Sequence, residues 1–119
     1  MQTRDINEIV PQDAAARLLA FRHAGSAALP RAVHDVVLFG SRVCGDARPD
    51  SDYDVAVLLA DDLAEDRGVR ARLADAAWEH VVEGIVIQAI ALPVGAFSVP
   101  SATHDELSAR IAAKGVSVR

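Results

Sequence analysis

Cysteine is nearly missing from this chain: Cys44 stands alone, so no internal disulfide can form. With no Cys or His cluster near it, a structural zinc site is excluded too, and Cys44 reads as a small loop residue rather than a reactive thiol. Basic residues are also short, with 12 Lys and Arg against 17 Asp and Glu, a net charge of −5 and a pI near 5.2. Broad contact with nucleic acid needs clustered cations to neutralise phosphates. Extensive direct nucleic-acid binding is therefore not expected, and a basic partner protein fits better. No apolar run approaches the length of a membrane span, and MQTRDINEIV lacks the apolar centre of a signal peptide. The expected compartment is the cytoplasm. Histidines at positions 23, 34, 80 and 104 show no ligand spacing and read as surface or core residues. There is no internal repeat, low-complexity tract or linker.

What remains is an ordinary globular composition, half hydrophobic and 24% charged. A length of 119 residues suits one domain, residues 1–119, with a single core and no separate acceptor-holding domain. A first helix is expected from Asp13 to Ala28, burying Ala16, Leu19, Ala20 and His23 or Ala24, with Arg17 and Arg22 toward water, and closed by Gly25 or Pro30. Val36 to Phe39 then reads as a short strand buried on both faces, stopped by Gly40. Asp46 to Asp52 is loop, and Tyr53 to Leu59 is a strand. A second helix opens at Asp61 and Asp62 and runs through Leu63, Val69, Leu73, Ala76, Ala77 and Val81 to Gly84, with Trp78 at its edge as core or protein interface. Such a helix lets the strands on either side lie parallel, so Ile85 to Leu92 is the third strand. Pro93 to Pro100 is loop. A last helix begins at Asp105, capped by Thr103, with Leu107 and Ile111 inward and Lys114-Gly115 as its stop; Val116 to Arg119 adds an edge strand. The fold class is α/β, a layered sheet and helices.

The chemistry concentrates in GSRVCGDARPDSDYD, Gly40 to Asp54. A Gly-Ser turn leaving an apolar strand offers backbone N–H groups and a hydroxyl to phosphate oxygens, and an Asp-x-Asp entering a strand can hold a divalent metal. Period two places Asp52, Asp54, Ala56 and Leu58 on one face and Tyr53, Val55, Val57 and Leu59 on the other. Two aspartates on one face repel unless a cation lies between them. The motif therefore points to a nucleoside triphosphate with Mg²⁺, one ion or two, at Asp52 and Asp54. Gly40 and Ser41 would hold the phosphates and Arg42 would meet their oxygens. Arg48 reads equally as a phosphate contact or a solvated loop charge, and Tyr53 as core. The bland alternative, turn residues only, needs the strand, the glycine turn, the spacing and the second strand to coincide by chance.

This pattern of Gly-Ser, ten residues, Asp-x-Asp resembles the nucleotidyltransferases of the DNA polymerase beta superfamily. With LFGSR, SDYDVAVLL and ELSARIAAKGVSV, so short a chain looks like the minimal nucleotidyltransferase group, the resemblance covering most of the chain from about Val33. It implies a small mixed sheet with helices packed on it, and ATP with Mg²⁺ beside Gly40. It also implies a third metal-binding carboxylate on the later strand, where alignment through Gly84 places Gln88. An amide cannot act as a base. Asp46 and Glu83 are the nearest substitutes by sequence, and Gln88 itself reads as a site residue or as a polar residue on an exposed strand face.

Proteins of this group often serve as antitoxins that transfer AMP from ATP to a tyrosine of an HEPN-type ribonuclease toxin. The resemblance accordingly implies a protein adenylyltransferase with Asp52 and Asp54 at its centre and such a toxin as partner. Gln88 favours an alternative, an antitoxin that neutralises by contact alone. Small-molecule nucleotidylation, as on aminoglycosides, is disfavoured by the lack of an acceptor domain. Homo-oligomerisation is left open.

Overall fold

A computed structural model describes residues 4–48, 50–95 and 106–119. After a short 3₁₀ turn at Ile6–Glu8, the chain forms α1 (Gln12–Ala28), β1 (Val33–Phe39), a single helical turn α2 (Ser41–Cys44), β2 (Tyr53–Leu59), α3 (Arg67–Trp78), a 3₁₀ turn (Val81–Glu83), β3 (Ile87–Pro93), α4 (Glu106–Lys114) and β4 (Val116–Ser117). The four strands form one sheet in the order β3-β2-β1-β4. β1 is antiparallel to both β2 and β4, while β2 and β3 run parallel. The parallel pair follows from α3, which carries the chain back across the sheet before β3 begins. The result is the mixed sheet expected of a nucleotidyltransferase fold.

Alternation along β2 divides the sheet into two faces. Tyr53, Val55, Val57 and Leu59 enter the larger core together with Leu18, Phe21, Val69 and Leu73 from α1 and α3. Ala56 and Leu58 point the other way and join Val37 and Ile111 of α4. Helix α4 therefore covers the face that carries Asp54, one residue pair further along the same strand. Gly115 ends α4 so close to β1 that an added Cβ would collide with the Val37 side chain and lie 2.6 Å from the Ile111 carbonyl oxygen. Only glycine allows that approach, and it seats the helix on the sheet.

Four expectations about the helices need correction. In α1 the buried residues are Ala14, Ala15, Leu18, Phe21 and Gly25, whereas Ala16, Ala20 and His23 are exposed. The alanine-rich run has no distinctive apolar stripe, and contact with α3 selects the face: Gly25 sits inside the helix with Leu73 beside it. Arg22, expected in water, is half-buried and pairs with Asp35 at 2.6 Å. Helix α3 opens later, at Arg67, because Asp66 rather than Asp61 caps it by accepting from the Val69 N–H at 3.0 Å. Asp61 instead accepts from the Gly95 N–H at 2.8 Å. Helix α3 also stops at Trp78, before Val81.

In α4, Ile111 is buried as expected but Leu107 remains 38% exposed. Thr103, His104 and Asp105 lie outside the described residues, as does most of the expected 93–100 loop, of which Pro93 closes β3. His80 is buried, and its pKa is lowered by burial and then by Arg17. Among the described residues no helix is long and apolar enough to cross a membrane.

Candidate functional site

The site arises where strand register brings three chain segments to one end of the sheet. Phe39, the last residue of β1, is paired with Asp54, and Asp54 is paired on its other side with Gln88. The next residue, Gly40, must therefore turn directly beside the Asp54 carboxylate. Its φ of 80° and ψ of −151° are accessible to glycine alone, and a Cβ there would lie 2.6 Å from Asp54 Oδ2. Gly40 thus serves twice, in backbone conformation and in space.

Ser41 begins α2 immediately afterwards, and its carbonyl accepts from the N–H groups of Gly45 and Asp46 at 3.1 and 3.2 Å. The chain is turned away from the sheet within one helical turn. Arg42, expected from its sequence position to face phosphate, donates to the Ser51 carbonyl at 2.6 Å and lies 4.1 Å over the centre of the Tyr53 ring. That contact is on the Tyr53 face, opposite the aspartates, and it ties α2 to the residue before Asp52. Ser51 is further fixed by the Arg48 N–H, which donates to its hydroxyl at 2.8 Å; the Arg48 side chain is exposed. Tyr53 is core as expected, with burial raising its pKa.

Asp52, Asp54 and Gln88 come together as the alternation requires. Burial raises the Asp54 pKa first and the charge of Asp52 raises it further, so the repulsion inferred from their spacing is present in the folded protein. A divalent cation would relieve it, and the two carboxylates suit Mg²⁺ as hard oxygen donors. Gln88 presents its amide nitrogen, donating to Asp52 Oδ2 at 3.1 Å. Among the described residues no group of three Asp, Glu, His or Cys side chains is close enough to hold a metal. Of the two candidate substitutes, Glu83 pairs with Arg17 at 3.3 Å on the 3₁₀ turn after α3, while Asp46 lines the same cavity as Asp54.

That cavity, about 410 Å³, opens between the Gly40-Ser41 turn, Asp54 and helix α4, with Phe39, Cys44 and Asp46 completing the near wall. Leu107, Arg110 and Lys114 form the far wall. The sequence places Leu107 in the core and Lys114 at the helix stop, and gives Arg110 no role. The available signal was their helical spacing, which puts 107, 110 and 114 on the flank beside the buried Ser108 and Ile111.

A family model described as "Polymerase beta, Nucleotidyltransferase" matches residues 28–89, a span from the end of α1 to just past Gln88. One solved structure, a toxin-antitoxin complex with AMP-PNP, superposes with a TM-score of 0.55 over 92% of this chain and 73% of that one, at 22% identity. At that identity the likeness is one of fold. No curated protein matches the chain.

Proposed function

The chain belongs to the polymerase beta nucleotidyltransferase family, and on that premise we propose that it is an antitoxin that adenylylates a tyrosine of an HEPN-type toxin. The observation that carries this reading is the convergence of the Gly40-Ser41 turn and Asp54 on one cavity, with Asp52 two residues before Asp54 and held by Gln88. The likeness of fold to a toxin-antitoxin complex with AMP-PNP supports the choice of partner and nucleotide. So does the exposure of Trp78, 70%, and Val82, 86%, which leaves an apolar surface for a protein to cover.

In this reading Gly40 and Ser41 bind the phosphates of ATP, and Asp52 and Asp54 bind Mg²⁺. The metal, when bound, supplies positive charge against the α-phosphate and the departing pyrophosphate. Arg42 acts at one remove, holding Ser51 and hence Asp52 in place. The tyrosine oxygen forms a bond to the α-phosphorus as the bond to the bridging oxygen breaks, and pyrophosphate leaves. The phenolic proton passes to solvent. A phenol ionises near pH 10, far more readily than an alkyl alcohol, so a tyrosine acceptor suits a site in which Gln88 replaces a base.

A second reading, neutralisation by contact alone, is favoured by Gln88 and by the two-carboxylate donor set. Incubation with labelled ATP, Mg²⁺ and a purified HEPN-type toxin partner separates them. Adenylylation predicts label on that protein, loss of at least about a hundredfold in Asp54→Asn, and a gain in Gln88→Glu. Suppression of the toxin by the wild-type protein with no label transferred would sink the catalytic reading.

A further inference from the structure

Two cations of α4 face the cavity from the side opposite the aspartates. Arg110 and Lys114 are exposed, line the same space as Gly40, Ser41 and Asp54, and stand one helical turn apart, about 6 Å between Cβ atoms. The helix that carries them is anchored rather than loosely attached. Ile111 is fully buried against Val37, Ala56 and Leu58, Gly115 is pressed onto β1, and β4 continues directly into pairing with Val37 and Leu38. The two charges are thus presented from a rigid support, across the cavity from Gly40 and Ser41.

A triphosphate entering this cavity meets two carboxylates, Asp54 and Asp46, on the near wall. Its own charge is strongly negative, so the outer phosphates require positive charge from elsewhere, and charge-assisted N–H to phosphate contacts are the strongest the protein can offer. The protein as a whole is acidic, with a net charge of −5, which makes a pair of cations facing an acidic wall a local exception. We propose that Arg110 and Lys114 grip the β- and γ-phosphates of the nucleotide, making α4 the clamp that selects a triphosphate over a monophosphate. This rests on the nucleotide-binding reading given above and extends it to a second element.

Lys114 is the only lysine in the chain, which gives a direct probe. Binding of a fluorescent ATP analogue, competed with ATP or AMP, is measured for the wild type and for Arg110→Gln, Lys114→Gln and Arg110→Lys. In parallel, Lys114 is labelled with pyridoxal 5′-phosphate and borohydride and the labelled peptide is quantified. The expected result is a loss of ATP affinity of about tenfold in each glutamine variant. AMP affinity changes less than about twofold, Arg110→Lys retains most of the ATP affinity, and ATP but not AMP protects Lys114 from labelling. An equal loss for ATP and AMP would overturn the assignment to the outer phosphates. Wild-type ATP affinity in both glutamine variants, with Lys114 labelled at the same rate with or without ATP, would remove α4 from the site while leaving nucleotide binding intact. Failure of the wild type to bind ATP would instead overturn the nucleotide reading and this one with it. Thermal unfolding of each variant, expected to match the wild type because both side chains are exposed, separates lost binding from lost fold.

Discussion

Asp35 shows how one side chain can join three parts of the molecule. Its Oδ1 accepts from Arg22 of α1 at 2.6 Å, from the Ser117 hydroxyl of β4 at 2.7 Å and from the Val36 N–H at 2.9 Å, while the same Arg22 nitrogen also donates to the Val118 carbonyl. Burial alone would raise its pKa, but these hydrogen bonds and the Arg22 charge outweigh burial and hold it below the ordinary value of 3.8. A carboxyl whose folded pKa is depressed contributes stability above its unfolded pKa and loses it as pH falls through the folded one. Asp35→Asn should therefore cost about 2 kcal/mol at pH 7, and the gap to wild type should close as the pH drops below 3.8. Urea unfolding of both proteins at pH 7 and pH 3 checks this; a gap that stays constant would assign the effect to packing instead. Asp54 has the opposite sign. Its raised pKa means that its charge opposes folding at neutral pH, and the strain sits where a cation would remove it.

At the scale of elements, α4 decides the shape of the site although it contributes none of the signature residues. Ile111→Ala removes the side chain that holds this helix on the sheet and should destabilise the protein by about 2–5 kcal/mol. It should also weaken ATP binding in the molecules that remain folded, because Arg110 and Lys114 move with the helix. Binding titrations below the unfolding temperature measure the second effect; unchanged affinity would mean that α4 seats itself without Ile111. The strands were legible from sequence because β2 alternates cleanly, with acid and small apolar residues on one side and Tyr53, Val55, Val57 and Leu59 on the other. The helices were less so. In α1 the many alanines fit several faces equally, and contact with Leu73 across Gly25 chose among them. In α3 two acidic segments competed to cap, and Asp61 was taken by the Gly95 N–H, a partner 34 residues away. Local pattern cannot rank such alternatives when the deciding contact is distant.

At the scale of the molecule, the proposed nucleotide cavity and the exposed apolar surface occupy different regions, the second bordered by β3, whose Gln88 pairs with Asp54. Ile87, Gln88 and Ala89 line one side of a shallow groove whose other side includes Ala77 and Trp78, so the groove runs from the exposed tryptophan toward the residue that touches Asp52. Trp78→Ala should leave unfolding free energy within about 0.5 kcal/mol of wild type, since the side chain is mostly in water. It should weaken complex formation with the proposed toxin partner about tenfold or more if that partner covers the groove. Calorimetric titration of the purified pair decides it, and unchanged affinity would place the interface elsewhere.

The sequence by itself determined the motif, the strand that carries it and the face on which Asp52 and Asp54 lie, because a period of two is a property of the local backbone. The family resemblance, aligned through Gly84, indicated Gln88, and the pairing of β2 with β3 then set it opposite Asp54, although that strand begins at Ile87 rather than Ile85. Only the tertiary structure decided that Arg42 turns to Tyr53 and Ser51, that Glu83 pairs with Arg17 while Asp46 lines the same cavity as Asp54, and that Arg110 and Lys114 line it too. Those outcomes depend on which helix packs on which face of the sheet, a choice made by buried contacts between residues far apart in the chain.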